Sequence, residues 1–200
     1  LTGSAESTYV RRSARAFLQA GFATLRLNLR GAGASRPFCR EQYHSGRSED
    51  LAAVLEQLDA PEGVAVMGWS LGANLLLKGM AEFGTQKRVR GAVAVSAPID
   101  LLMTAKRFCA PRNTGYHRHL LVAMRAEMTG RPGGLSAADQ RRLAAARSVI
   151  AFDDAFTAPD NGFADAADYY ARCSANGFLA RIQVPTRVIH ALDDPWIPPD

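Results

Sequence analysis

Residues 64 to 80 read VAVMGWSLGANLLLKGM: a short apolar run, then Gly-Trp-Ser-Leu-Gly, then an apolar stretch with helical spacing. A buried strand that must turn into a helix within five residues admits few architectures. The pentapeptide Gly68-Trp69-Ser70-Leu71-Gly72 fits the pattern G-x-S-x-G, with the strand before it and the helix after it that the pattern requires. In that setting Ser70 sits on a sharp, strained turn with its hydroxyl pointing out of the sheet. Gly68 and Gly72 are expected to leave room where a Cβ would meet neighbouring backbone. The N-terminus of the following helix puts positive potential where an oxyanion would form, and the Leu71 N–H becomes one donor to it. The bare pattern also arises by chance in Gly-rich loops; the flanking strand and helix are what argue for a nucleophile here.

The rest of the chain suits such a turn. Tyr9 to Ala20 has helical spacing closed by Gly21, and Phe22 to Leu29 alternates as a strand. RGAGASRP is a turn-rich loop. Ser48 to Leu58 reads as a helix with acidic residues in its first turn, and Leu71 to Phe83 as a helix stopped by Gly84. Val64 to Met67, GAVAVSAP and Thr186 to Leu192 are apolar runs of the parallel-sheet kind. Alternation of strand and helix up to Pro98 predicts an α/β fold, a mainly parallel sheet with flanking helices. Residues 99 to 183 are mostly helical in pattern, with helices over His117 to Met128 and Ser136 to Arg147. The expected organisation is a first core segment (1–98), a helical cap insertion (99–183) and a resumed core (184–200). The chain lacks an initial Met, opens on LTGS like the tail of a loop and closes on IHALDDPWIPPD just past a strand. It therefore reads as a piece cut at both ends.

A serine nucleophile needs a base and an acid to orient that base. In the order that accompanies G-x-S-x-G, the acid lies past a later strand and the base follows it. VIHALDDP supplies Asp193 and Asp194; Asp194, nearer the turn at Pro195, is the preferred acid and Asp193 is then structural or a helper. Plain turn chemistry is the other reading of Asp-Asp-Pro. Asp100 is a weaker candidate from an earlier strand. Of the four histidines, His44 precedes the serine, His117 and His119 lie in the insertion, and His190 shares the strand of the acid. None follows the acid, so the base is expected beyond Asp200.

Composition excludes other classes. With 48% hydrophobic and 22% charged residues, the chain is an ordinary globular protein. The net charge of +5, from 24 basic and 19 acidic residues, is spread over separated pairs such as Arg11-Arg12 and Arg141-Arg142. That is a solvated basic surface rather than a nucleic-acid stripe, though it suits peripheral contact with an anionic membrane. Cys39, Cys109 and Cys173 are odd in number and widely spaced, which argues against disulfides or zinc and for a reducing, cytoplasmic setting. His117-x-His119 has no further ligands near it. RGAGAS lacks the third glycine of a dinucleotide loop, and GANLLLKG is no P-loop. No metal or cofactor is expected.

LTGSAESTYV, NLRGAGAS, YHSGRSEDL, GWSLGANLLLK, FDDAFTAPDNGFADAADYY and IQVPTRVIHALDDP together resemble the YheT-like branch of the α/β-hydrolases, which includes EMB-type plant proteins and membrane-anchored animal relatives. The matching segments run over nearly all 200 residues. FDDAFTAP is the most specific, because generic α/β-hydrolases lack it. Ala73 departs from the glycine usual in the family. The resemblance implies a Ser-Asp-His triad, carried over as Ser70 and Asp194, and esterase-like or lipase-like activity on small-molecule esters or lipids. It also implies a second oxyanion donor, the N–H of Leu1, because LTGS is similar to the end of the family's H-G-L-x-G-S segment. The aromatics of the insertion, Phe108, Tyr116, Phe152, Phe156, Phe163, Tyr169 and Tyr170, would line an acyl pocket or form its packing core. Acyl transfer by the same triad, and an inactive module that keeps the fold for binding, are the alternatives.

Overall fold

A computed structural model describes residues 2–86 and 88–198. Three strands, β1 (Val64–Trp69), β2 (Val89–Val95) and β3 (Thr186–Ile189), pair in parallel in the order β1-β2-β3. Parallel neighbours need long crossovers, and these connections are helical. Helix α3 (Leu71–Phe83) joins β1 to β2. Between β2 and β3 every element among the described residues is a helix or helical turn. These include α4 (Leu101–Phe108), α5 (Thr114–Thr129), α6 (Ala137–Ala145), the short α7 (Val149–Phe152) and α8 (Ala158–Asp160), and α9 (Ala166–Cys173). Before β1 lie α1 (Thr8–Gln19) and α2 (Ser48–Gln57).

The chain divides into two compact units, Leu1–Tyr43 with His119–Ala145, and His44–Arg118 with Ala146–Asp200. In the first, the buried Arg36 guanidinium donates to the carbonyls of Cys39, Arg40 and Glu41 and so folds the loop after the 3₁₀ turn Gly33–Phe38. The Tyr43 hydroxyl accepts from the Thr2 N–H at 2.7 Å and donates to Glu127 Oε2 at 2.9 Å. A groove of about 430 Å³ runs along α1, lined by Arg11, Arg12, Arg15 and Arg26 with Thr8, Ala14 and Leu18.

One strand expectation is corrected. Phe22–Leu29 takes no strand conformation among the described residues, and Phe22, Leu25 and Leu27 are exposed. A strand exists only through its ladder partners; alternation reveals which side chains share a face, not what pairs with the backbone.

The second unit holds the sheet. Helix α3 is apolar well beyond one stripe: eight of its 13 residues are buried, including Leu75, Leu76 and Leu77 in succession. A helix apolar all round must be enclosed, and each such leucine contributes about 1.5–3 kcal/mol by leaving water. Ala73 and Leu77 pack with Ala94, Ala97 and Ala175 between sheet and helix. Leu101, Ala105, Ala158, Ala166, Tyr169, Tyr170 and Cys173 form a second cluster. Gly84 ends α3 with φ of −52°, so no left-handed cap is involved. Its missing side chain instead admits Val184, which a Cβ would meet at 2.6 Å.

Candidate active site

Ser70 lies between the last residue of β1 and the first of α3, with φ at +49° and ψ at −125°. A non-glycine residue there costs about 1–3 kcal/mol and persists only where its surroundings enforce it. Here the Ser70 N–H donates to Val95 O at 2.9 Å, continuing the β1–β2 ladder, while its carbonyl accepts from Ala73 N–H at 2.8 Å and Asn74 N–H at 3.1 Å. The backbone is held by the sheet on one side and by the helix on the other, and the reversal falls on one residue. Gly68 is required: a Cβ would sit 2.5 Å from the Gly72 carbonyl oxygen. Gly72 is not required on that ground, because a Cβ there meets nothing within 4 Å. Crowding at that position, expected from the pattern, is absent.

Leu71 opens α3, so its N–H is among the donors a helix leaves without an internal acceptor. Among the described residues no other acceptor reaches it. The first turn of α3 carries no acidic residue, so its positive end is uncompensated beside Ser70. Leu1 lies outside the described residues.

Asp194 lies past the end of β3, as Ser70 lies past the end of β1, with β2 between them. At the usual strand spacing, β1 and β3 are about 10 Å apart. The half-buried Asp194 does perform turn chemistry: its Oδ1 accepts from the N–H groups of Trp196 at 2.9 Å and Ile197 at 3.0 Å. Its Oδ2 takes no hydrogen bond among the described residues. Asp193 is exposed. Asp100 caps α4, accepting from Met103 N–H at 2.8 Å.

Each histidine has a place. His44 is buried, its Nδ1 accepting from Gly46 N–H at 3.2 Å and its ring edge-on to Phe163 and Tyr169. Burial, with smaller effects from Arg47 and Lys78 against Asp50, lowers it to about 4, so it is a neutral acceptor at neutral pH. His117 Nε2 accepts from Val149 N–H at 3.1 Å, and burial lowers its pKa. His119 is exposed on α5. His190 Nε2 lies 3.0 Å from Ile197 O.

Two further features have roles that the sequence pattern does not disclose. Asn74, one turn after Ser70, is fully buried. Its Nδ2 donates to Ser45 O at 3.0 Å and Cys173 O at 2.8 Å, and its Oδ1 accepts from Ala175 N–H at 2.9 Å. Nothing in GANLLLK marks an asparagine as the joint of three segments. FDDAFT forms a π-helical turn, Asp153–Thr157, at whose start the buried Asp153 accepts from Thr157 Oγ1 and Tyr170 Oη, both at 2.6 Å. Burial pushes Asp153 up to about 6, against those hydrogen bonds and with Asp154 adding to the rise. Phe108, Phe152, Phe156, Tyr169 and Tyr170 are buried in packing, while Tyr116 and Phe163 are half-buried. Among the described residues no group of three His, Cys, Asp or Glu side chains could hold a metal.

A strained serine between a parallel strand and a helix N-terminus is the hallmark of one family. The model of that family, the alpha/beta hydrolase fold, matches residues 1–200, and the chain belongs to it. Within it, the chain is similar to the YheT-like branch. It is 35% identical to YheT of Escherichia coli (strain K12), whose name carries a provisional esterase label, over 98% of this chain and 60% of that protein. It is 26% identical to the embryogenesis-associated protein EMB8 of Picea glauca, over 99% of this chain and 45% of that protein. It is 25% identical to the medium-chain fatty acid ethyl ester synthase/esterase 2 of Saccharomyces cerevisiae, over 100% of this chain and 51% of that protein. The chain thus spans about half to three-fifths of the length of the curated relatives it matches.

Proposed function

We propose that the protein cleaves carboxylic esters of small molecules or lipids, with Ser70 as nucleophile and Asp194 as the acid of a Ser-Asp-His triad. The backbone of Ser70 carries the reading: a φ of +49° held by hydrogen bonds on both sides, against an uncompensated helix N-terminus. In this reading the base is a histidine outside these 200 residues. It removes the Ser70 proton as Oγ attacks the ester carbonyl, and Oδ2 of Asp194 holds its tautomer. The N–H of Leu71 stabilises the oxyanion; loss of one such donor typically costs about 100- to 1,000-fold in rate. The alcohol leaves with the proton returned by the histidine, and water then releases the acyl group. The same proposal takes residues 99–183 as a helical insertion between the two core segments, 1–98 and 184–200, supported by the helical character of every described element between β2 and β3.

Acyl transfer to an alcohol is a second reading. The name of the yeast relative, both synthase and esterase, favours it, and it differs only in whether an alcohol outcompetes water at the acyl-enzyme.

Intact-mass detection of a fluorophosphonate adduct tests the nucleophile. The full-length protein should gain one adduct, and Ser70→Ala none. A well-folded protein that takes no adduct would leave the fold as a binding module and end the enzymatic reading.

A further inference from the structure

The loop that carries Asp194 is gripped from one side by the start of the helical segment. The Asn113 side chain, in the 3₁₀ turn Pro111–Asn113 before α5, is buried, and its Nδ2 donates both to Arg107 O at 2.8 Å and to Pro195 O at 3.1 Å. Arg112 Nη2 donates to the same Pro195 carbonyl at 3.2 Å. One helical turn on, the Tyr116 ring stacks on Trp196 with centroids 3.8 Å apart and planes at 13°. All three contacts fall on the two residues that follow Asp194.

The carboxylate cannot move independently of that loop. Oδ1 of Asp194 is tied to the N–H groups of Trp196 and Ile197, so the orientation of Oδ2 is set by where residues 195–197 sit. Those residues contribute no strand pairing among the described residues, since β3 ends at Ile189. His190 also bonds to the loop, its Nε2 lying 3.0 Å from Ile197 O. The direction in which Oδ2 points therefore depends on a platform that belongs to another part of the chain, and Asn113 is its buried centre.

We propose that Asn113, supported by Arg112 and Tyr116, is a positioning residue for the acid of the triad, coupling the helical segment to the catalytic rate. The inference rests on the reading of Asp194 as that acid. Asn113 touches neither substrate nor nucleophile; it acts through Pro195. Its loss removes the buried bridge between Arg107 O and Pro195 O, leaves Pro195 O to Arg112, and lets the loop drift. A drift of about 1 Å at a catalytic group is enough for losses on the order of 100-fold.

The test uses the full-length protein, p-nitrophenyl butyrate as substrate and a double-mutant cycle. Asn113→Ala is expected to lower kcat by about 10- to 100-fold with KM nearly unchanged. In an Asp194→Asn background it should cost nothing further, because the group it positions is gone. Arg112→Ala, an exposed change that keeps Asn113, should lower kcat to a lesser degree with KM again unchanged. An Asn113→Ala loss that persists undiminished beside Asp194→Asn would mean a merely structural role and overturn the proposal. Where Asn113→Ala does not fold, Arg112→Ala decides, and a wild-type kcat for it overturns the proposal. Wild-type activity in Asp194→Asn alone would instead remove Asp194 as the acid, an outcome read separately from Asn113.

Discussion

At the scale of single residues, the two glycines around Ser70 look equivalent in the pattern and are not equivalent in space. A Cβ on Gly68 would press on the carbonyl of Gly72, backbone that cannot rotate away, whereas a Cβ on Gly72 meets nothing. Gly68→Ala should therefore destabilise the fold by about 1–3 kcal/mol, the usual cost of forcing atoms into a packed site. Gly72→Ala should leave stability within about 0.5 kcal/mol or raise it slightly, since alanine is the better helix former. Urea unfolding of the two variants checks the contrast. Equal destabilisation by both would show that the steric account of the turn is wrong. The difference was not legible beforehand, because G-x-S-x-G records which residues recur and not which atoms crowd them.

Among elements, α3 is positioned by one polar side chain as well as by its apolar surface. Asn74 joins the helix to the carbonyls of Ser45 and Cys173 and to the N–H of Ala175, across sequence separations of 29, 99 and 101 residues. Asn74→Ala would strand these buried groups, and each stranded group costs about 1–3 kcal/mol. A loss of about 3 kcal/mol or more in urea unfolding is expected, several times that for an exposed polar-to-alanine change. The helix itself, its start after Ser70 and its extent to Phe83 were readable from spacing, as were α2 and the run that forms β2. Phe22–Leu29 shows the limit of such reading. Its alternation is real, yet no described strand pairs with it, and pairing is a property of two segments.

For the whole molecule, two buried titrating groups set opposing pH dependences. His44 is lowered from 6.5 to about 4, so the unfolded chain binds the extra proton between those values and stability is lost as pH falls through that window. Asp153 is raised from 3.8 to about 6, so there the folded chain binds the extra proton and stability is lost as pH rises. Each effect amounts to about 3 kcal/mol when complete, so they nearly cancel between pH 4 and 6. The wild-type Tm should thus change little over that range. Asp153→Asn should expose a Tm that falls as pH drops from 6.5 to 4, and His44→Asn one that rises as pH drops from 6 to 4. Parallel Tm–pH curves for the three proteins would refute the assignment. Both groups lie in motifs that stood out in the sequence, YHSGRSEDL and FDDAFTAPDNGFADAADYY, but nothing there indicates that either is buried. What the sequence by itself determined is local: the strand–turn–helix around Ser70, the helices with clear spacing, the α/β class, and a strand ending shortly before Asp194. Those follow from periodicity and turn chemistry, which act over a few residues. Only the tertiary structure decided that Asn74 and Asn113 are the polar joints, that Gly72 is uncrowded, and that His44 and Asp153 are shut away from water. Each of these depends on segments tens of residues apart meeting in space, and no local pattern carries that information.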